Sequence, residues 1–198
     1  IVTELKNAKN KTIYRFESAQ PSNITWSPDG SSLVYLIEGE LKRLNLETLQ
    51  LTFIAKHLAG ANGFQFYNND SLIFSWSKSP SDDGKLTKHY QGLQDRWSYA
   101  RTTSQVYLLD ISTGLSKILS QGPLSHSLED FDAQQGVVLM SRSAQAMNRS
   151  PEPATELVEL NIATAASNVL GQFKTFNQAK YTDDGIYVTA GPDFRDGL

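Results

Sequence analysis

The sequence predicts an all-β fold, and within that class a partial β-propeller built of four-stranded antiparallel blades. Three observations support this prediction. Short stretches of alternating polar and apolar residues are separated by turn-forming residues along the whole chain. The same order of strands returns at intervals of roughly 40 to 50 residues, as propeller blades do. No stretch carries a helical periodicity long enough to compete.

The first hairpin of the repeat is clearest in residues 24–36, ITWSPDGSSLVYL. Ile24 and Trp26 alternate with polar neighbours, so we expect both on the buried face of a strand. The Pro-Asp-Gly sequence that ends at Gly30 is typical of a turn, in which glycine accepts a positive φ. The apolar run over residues 33–37 predicts a second strand that is covered on both faces.

Both halves of the unit recur. The aromatic-led hairpin returns at residues 64–76 (FQFYNNDSLIFSW), 128–141 (LEDFDAQQGVVLMS) and 178–190 (QAKYTDDGIYVTA). A second pair of strands, joined by a short turn, occupies residues 39–55, 104–119 and 155–170, with a partial copy at residues 1–16. Each complete unit therefore has four strands, and the connection between its second and third strands varies most in length.

The repeat predicts one partial propeller domain over residues 1–198. Its predicted parts are the end of a blade at 1–16, a blade at 24–60, a blade at 61–127 with an insertion at 77–103, a blade at 128–173 and the start of a blade at 174–198. An antiparallel sandwich or barrel is one alternative. In another, the first and last segments pair and close a four-bladed ring. Because both ends lie within blades and no initiator Met is present, we expect a processed protein or a piece of a longer one.

Composition excludes several classes of protein. The formal charge of −3 and the scattered basic residues argue against a nucleic-acid surface. The absence of cysteine excludes disulfides, thiolate zinc sites and cysteine nucleophiles. No apolar run approaches the roughly 20 residues that span a bilayer. The absence of cysteine suits an exported bacterial protein and a cytosolic one equally well, so composition leaves the location unknown, with a periplasmic or secreted one slightly favoured over a cytoplasmic one.

Catalytic motifs are missing from the sequence, so we predict no catalytic residue, metal or cofactor in this chain. The histidines are not in a metal-ligand spacing and are expected to be solvated or hydrogen-bonded loop residues: His57, His89 and His126. Acidic pairs are expected mostly at turn positions: Asp82 with Asp83, Glu129 with Asp130, and Asp183 with Asp184. The threonine-containing sequons at Asn10 and Asn23 occur at near chance frequency.

The insertion at residues 77–103 exceeds what a blade needs. It places Arg96, Trp97, Tyr99 and Arg101 close together in the sequence. Aromatic side chains and arginine anchor ligands and recognise carboxylates at binding surfaces. These four residues are therefore candidates for contact with a substrate or with another domain. The alternative is that the aromatic residues pack the loop onto its own blade while the charges are solvated.

Residues 26–48, WSPDGSSLVYLIEGELKRLNLET, resemble the repeat of Tol-type periplasmic propellers and of the non-catalytic domain of prolyl oligopeptidase family serine peptidases. Residues 88–122, with the aromatic and basic insertion before YLLDISTG, are similar to the acylaminoacyl-peptidase and dipeptidyl-peptidase branch. Residues 141–165 also resemble the family's pattern, in which an Arg-containing loop precedes a strand. Only one blade keeps Ser-Pro-Asp-Gly intact, at residues 27–30.

The resemblance implies a propeller that filters or docks peptides for a serine nucleophile on a separate α/β-hydrolase domain of the same parent chain. Peptide substrate and that domain are then the expected partners, with no nucleic acid and no membrane span. The nucleophile elbow of such a domain, Gly-x-Ser-x-Gly, does not occur in this sequence. The alternative function is a free-standing, Tol-like propeller that binds a protein or a ligand.

Overall fold

The computed structural model describes residues 2–6, 9–14, 20–78, 103–120, 122, 124–143 and 154–191. In these ranges the chain forms sixteen strands in five sheets. Three of the sheets have four strands, and each four-stranded sheet takes its strands in sequence order. The prediction of a partial β-propeller with four-stranded antiparallel blades is confirmed. The assignment of residues 1–198 to one domain with the stated blade boundaries stays a prediction.

The strands are listed here by sheet. The first two-stranded sheet contains β1 (Val2–Lys6) and β2 (Lys9–Tyr14). The first four-stranded sheet contains β3 (Ser22–Trp26), β4 (Ser32–Ile37), β5 (Glu40–Asn45) and β6 (Leu51–Ala55). The second contains β7 (Ala61–Asn68), β8 (Ser71–Lys78), β9 (Thr103–Asp110) and β10 (Ser116–Ile118). The third contains β11 (His126–Asp132), β12 (Val137–Ser143), β13 (Thr155–Asn161) and β14 (Ser167–Phe173). The last sheet pairs β15 (Phe176–Thr182) with β16 (Gly185–Ala190).

Two compact units divide the chain. The first comprises Ile1–Phe74 and Leu108–Lys117, and the second comprises Ser75–Tyr107 and Ile118–Leu198. In the part of the chain that the structure describes, no helix is long and apolar enough to cross a membrane.

The second strand of each four-stranded sheet carries much of the core, as its apolar sequence predicts. All six residues of β4 are buried. In β8, Leu72, Ile73 and Phe74 are each fully buried, and in β12 the buried run begins at Val138. A strand with neighbours on both sides and cover on both faces removes nearly all of its side chains from water, which favours continuous apolar runs over alternation.

The turn between the third and fourth strands is built in the same way in all three four-stranded sheets. It begins at Asn45, Asp110 or Asn161, whose side-chain oxygen accepts the backbone N–H three residues later at 2.8–3.0 Å. A threonine occupies that third position, and the next residue has a positive φ. These short-range bonds follow from sequence alone, because an Asx side chain caps its own turn. Hydrogen bonds from Ser112 and Thr113 lower the pKa of Asp110 to about 2.

In each four-stranded sheet, one backbone hydrogen bond links the turn between the third and fourth strands to the turn between the first and second strands. The N–H groups of Leu46, Ile111 and Ile162 donate to carbonyl groups in the turn between the first two strands, each at 2.9 Å. The hairpin turn predicted at Pro28-Asp29-Gly30 is present, and Gly30 has a φ of 70°. Ser27 and Ser31 donate to Asp29 and lower its pKa to about 2.

The prediction that Ile24 and Trp26 lie on a buried face is wrong. Their side chains are 52% and 54% exposed, whereas the side chains of Asn23 and Thr25 are partly buried. The pairing of β3 with β4 shifts register between Ser22 and Thr25, and Asn23 has a φ of 49°. Exposure still alternates along β3, but the polar residues are the partly buried ones, so the pattern predicts the strand without showing which of its faces is covered.

The first strands of neighbouring sheets contact each other within each unit. In the first unit β3 contacts β7, and Gly63 N donates to Asn23 Oδ1 at 3.0 Å. In the second unit β11 contacts β15. There a core of Leu139, Leu157, Phe173 and Ala179 packs against apolar side chains of the last hairpin.

Candidate functional site between β11 and β15

The four residues predicted as binding candidates lie outside the described residues: Arg96, Trp97, Tyr99 and Arg101. The structure describes the strands that flank them. β8 continues to Lys78 and β9 begins at Thr103, so the predicted insertion begins within β8. The candidate site that the described residues do form is polar and lies where β11 meets β15.

Glu129 is the central side chain of this site. The pairing of β11 with β12 shifts register between Leu128 and Asp130, so Glu129 is an extra residue in the strand. Such bulges turn a side chain away from regular alternation and occur often beside functional sites. Ser141 Oγ donates to Glu129 Oε1 at 2.6 Å, and Ala179 N donates to Oε2 at 3.4 Å. The carboxylate therefore links three strands.

Burial raises the pKa of Glu129, and the hydrogen bonds from Ser141 and Ala179 only partly oppose that rise. Removal from water penalises the charged form of a carboxyl group, whereas donors stabilise it. A half-buried carboxyl group with a raised pKa is a recognised mark of functional sites, although structural networks also produce it.

Asp130 and Glu159 extend the polar contact on either side of Tyr181. Tyr181 N donates to Asp130 Oδ2 at 2.8 Å, and the Tyr181 hydroxyl donates to Glu159 Oε1, also at 2.8 Å. Burial raises the pKa of Tyr181 well above its usual range, and the hydrogen bond to Glu159 and the negative charges of Glu159, Asp130 and Asp132 raise it further. Tyr181 is therefore a neutral donor that joins the last hairpin to the third sheet.

A row of polar side chains, called the polar row below, crosses the third sheet at the end where β12 finishes and β13 begins. The register places four residues side by side on consecutive strands: His126, Arg142, Glu156 and Gln172. Arg142 Nε and Nη2 donate to Glu156 Oε2 at 2.9 and 2.8 Å. Gln172 Nε2 donates to Glu156 Oε1 at 2.7 Å. These bonds, with that of Gln172 first, lower the pKa of Glu156.

His126 is the buried end of this row. It is the first residue of β11 and is 2% exposed, so it is hydrogen-bonded as expected but lies in a strand and not in a loop. Its Nδ1 lies 2.9 Å from the Leu124 carbonyl, which can only accept and therefore places the proton on Nδ1. Burial, and then the charge of Arg142, lower the pKa of His126.

The connector before β11 is tied to the second sheet's third strand within the same unit. Gln105 Nε2 donates to Leu124 O at 3.0 Å, and the Ser120 hydroxyl donates to Gln105 Oε1. Val106 N donates to Ser120 Oγ at 3.0 Å. Ser120 and Gln105 are buried, so these bonds satisfy groups that would otherwise be costly to remove from water.

The hydrogen bonds of Glu129, Asp130 and Tyr181 hold the last hairpin to the third sheet, and Arg142 and Glu156 place charged groups at one end of that sheet. Among the described residues no serine or threonine hydroxyl is bonded to a histidine ring, and no cluster of three metal-ligating side chains occurs. The expectation that acidic pairs fill turns holds for Asp183 and Asp184, but Glu129 and Asp130 lie within β11. His57 is exposed after β6, as expected. His89, Asp82 and Asp83 lie outside the described residues.

The site predicts an unusual pH dependence. Because the folded-state pKa of Glu129 is raised, its contribution to stability is fully present below its ordinary pKa of 4.5 and is lost as pH rises through the folded-state value. We expect the free energy of unfolding of the wild type, minus that of Glu129→Gln, to fall as pH increases above about 4.5. Urea unfolding at a series of pH values measures this difference.

His126 has the opposite effect, because its lowered pKa reduces the free energy of unfolding as pH falls below 6.5. Both the wild type and Glu129→Gln contain His126, so its effect cancels when one free energy of unfolding is subtracted from the other. Glu156→Gln is the matched control, because its carboxyl pKa is lowered and its pH dependence therefore has the opposite sign. A wild-type minus Glu129→Gln difference that stays flat, or that rises with pH, contradicts the assignment of a raised pKa to Glu129.

Comparison with known proteins gives fold relatives only. No family model matches the sequence, and no curated protein matches it. A putative TolB from Agrobacterium tumefaciens superposes with a TM-score of 0.53 at 16% identity, covering 92% of this chain and 57% of that one. The Pyrococcus horikoshii acylaminoacyl peptidase gives a TM-score of 0.57 at 12% identity, covering 80% of this chain and 26% of the peptidase.

Porphyromonas gingivalis dipeptidyl peptidase 4 is similar in the same way. Its TM-score is 0.54 at 12% identity, and the match covers 91% of this chain and 32% of the peptidase. The chain thus spans just over half of the TolB protein and about a third or less of the two peptidases. The solved structures that resemble this chain include TolB, an acylaminoacyl peptidase and a dipeptidyl peptidase, which agrees with the propeller fold.

Proposed function

We propose that the chain is the non-catalytic propeller of a prolyl oligopeptidase family serine peptidase, and that it docks or gates peptides for a separate α/β-hydrolase domain. The observation that supports this best is the unequal length of one class of connection. β4 and β5 are joined by two residues, whereas the chain between β8 and β9 runs from Lys78 to Thr103 and that between β12 and β13 from Ser143 to Thr155. Repeats that keep their strands and lengthen one connection concentrate function there.

The polar row of the third sheet is consistent with this proposal. Its members lie at the same end of the sheet as the connection between β12 and β13, since Arg142 precedes the end of β12 and Glu156 follows the start of β13. Arg142 is 28% exposed in its side chain and is paired with Glu156. A sheet end whose charged side chains are hydrogen-bonded to one another can support binding loops without itself carrying out chemistry.

A free-standing, Tol-like binding propeller is the second candidate function. This chain spans a larger share of the Agrobacterium protein than of the Pyrococcus and Porphyromonas peptidases, 57% against 26% and 32%. Under this alternative the long connections would contact a protein partner and no catalytic domain would be attached.

A fluorophosphonate probe that labels active serine hydrolases separates the two proposals. We expect the full-length parent protein to be labelled and the label to map to a serine outside this sequence, because Gly-x-Ser-x-Gly does not occur in it. A parent protein that contains only further blades, or that stays unlabelled while hydrolysing no peptide, favours the binding propeller and overturns the peptidase proposal.

Arg96 and Arg101 are proposed to hold a substrate carboxylate or carbonyl group, with Trp97 or Tyr99 lining the pocket. In the full-length enzyme we expect Arg96→Ala and Arg101→Ala each to lower kcat/KM for short peptides about tenfold or more. One charge-assisted hydrogen bond contributes about 1.5–3 kcal/mol. Steady-state kinetics on peptides of several lengths measure the effect.

Lys117→Ala is the matched control for these variants, because it removes one positive charge from an exposed position on the outer strand β10. Its kcat/KM should equal that of the wild type. If both arginine variants keep wild-type kinetics, or if they unfold, the insertion packs the blade and the binding role of these residues is wrong.

A further inference from the structure

The contact between β3 and β7 contains a chemically reactive dipeptide. Asn62-Gly63 is the only Asn-Gly sequence in the chain. Asn-Gly reacts more readily than other asparagine sequences, because glycine has no Cβ to hinder its backbone nitrogen and is conformationally permissive. Asn62 and Gly63 are both exposed, and a Cβ on Gly63 would meet nothing within 4 Å. Water and base can therefore reach the dipeptide.

The reaction is an intramolecular amide exchange. A base takes the proton from Gly63 N, and that nitrogen attacks Asn62 Cγ. The new N–Cγ bond forms as the Cγ–Nδ2 bond breaks, and ammonia leaves with a proton from the solvent. Water then opens the cyclic succinimide at either carbonyl group and gives aspartate or isoaspartate. No oxidant, reductant or cofactor takes part.

The structure shows what restrains this reaction. Gly63 N donates to Asn23 Oδ1 at 3.0 Å, so the proton that must leave is held by an acceptor on the neighbouring sheet. Asn23 itself has a φ of 49°, a conformation that asparagine tolerates better than most residues. Asn23 thus adopts an uncommon backbone conformation, and in that conformation its side chain accepts a hydrogen bond from the Gly63 N–H group.

We propose that Asn62-Gly63 is a site of spontaneous deamidation and that Asn23, through its hydrogen bond to Gly63 N–H, restrains its rate. Either product places a new negative charge on β7, and isoaspartate also adds a methylene group to the backbone of that strand. Both changes fall where β7 contacts β3. Deamidation therefore weakens the link between the first two four-stranded sheets as the protein ages.

Incubation of the 198-residue chain in mildly alkaline water labelled with heavy oxygen, followed by peptide mapping, measures the rate at Asn62. Asn23→Gly keeps the positive φ accessible but removes the acceptor, and we expect it to raise the rate about two- to twelvefold, the range set by one hydrogen bond. Asn23→Asp keeps an acceptor oxygen and should retain the slow rate. Asn62→Gln should abolish the product at this position.

A second destabilised variant shows whether a faster reaction at Asn62 results from loss of the hydrogen bond between Asn23 and Gly63 or from lower stability of the whole unit. Gly114→Ala, which strains a different part of the same unit, should leave the rate at Asn62 near that of the wild type while the protein stays folded. Equal rates in folded wild type and folded Asn23→Gly would overturn the proposal, as would ammonia loss from other asparagines with none from Asn62. If Asn23→Gly does not fold, amide hydrogen exchange of Gly63 in the wild type decides: a protected N–H supports the restraint, and an unprotected one refutes it.

Discussion

Replacement of Phe74 by alanine is expected to lower the free energy of unfolding by about 3–5 kcal/mol. Phe74 lies on β8, is fully buried, and stacks on Phe64 with ring centroids 4.5 Å apart and an interplanar angle of 17°. The substitution loses the transfer free energy of a ring and leaves a cavity that neighbouring strands fill only in part. Urea unfolding followed by circular dichroism measures the loss.

Phe53→Ala is the matched control, because it makes the same chemical change at a phenylalanine that is 46% exposed on the outer strand β6. We expect a loss below about 1 kcal/mol there, since little apolar area leaves the core. Equal losses at the two positions would contradict the assignment of the second strand to the core.

Gly114→Ala should lower the free energy of unfolding by roughly 2–4 kcal/mol, which is the second largest loss of stability that we expect. Gly114 has a φ of 71°, and a Cβ there would lie 2.5 Å from the Ile54 carbonyl oxygen. An L-residue is strained in the left-handed conformation that Gly114 adopts. The new Cβ would also clash with a backbone atom of β6, which cannot rotate away as a side chain could, so the turn itself must move. Thermal and urea unfolding should both report the loss.

Ala165→Gly tests the same turn position in the third sheet. Ala165 has a φ of 57° without glycine, so the substitution relieves strain there and should change stability by no more than about 1 kcal/mol. If Gly114→Ala proves as mild as Ala165→Gly, the close approach of the turn to Ile54 does not exist in solution.

The parts of the fold that depend on neighbours in sequence could be predicted. The turn that begins at Asp110 follows from its own Asx, Thr and Gly residues, and the buried strand β4 follows from a run of apolar residues. Both depend on short-range bonds or on composition, which the sequence displays directly. The order of strands follows because the same pattern recurs.

The features that depend on contacts between sheets could not be predicted. Trp26 is exposed although exposure alternates regularly along β3, because alternation does not show which face of a strand meets a neighbouring sheet; here Asn23, on the other face, is bonded to Gly63 forty residues away. Glu129 looked like part of a turn, but it is an extra residue in β11 and is held by Ser141 and Ala179. One available signal was the broken alternation of HSLEDFD, which fits no regular strand.

The dependence of kcat/KM on substrate length in the full-length parent protein tests the proposed gating function most directly. If this propeller admits only small or unfolded peptides to a serine nucleophile, kcat/KM should be high for short peptides and should fall steeply for the same cleavage sequence within a folded protein. Unfolding that protein substrate should restore cleavage. Equal cleavage of the short peptide and the folded substrate, or the absence of any serine-dependent peptide hydrolysis, would contradict the proposal.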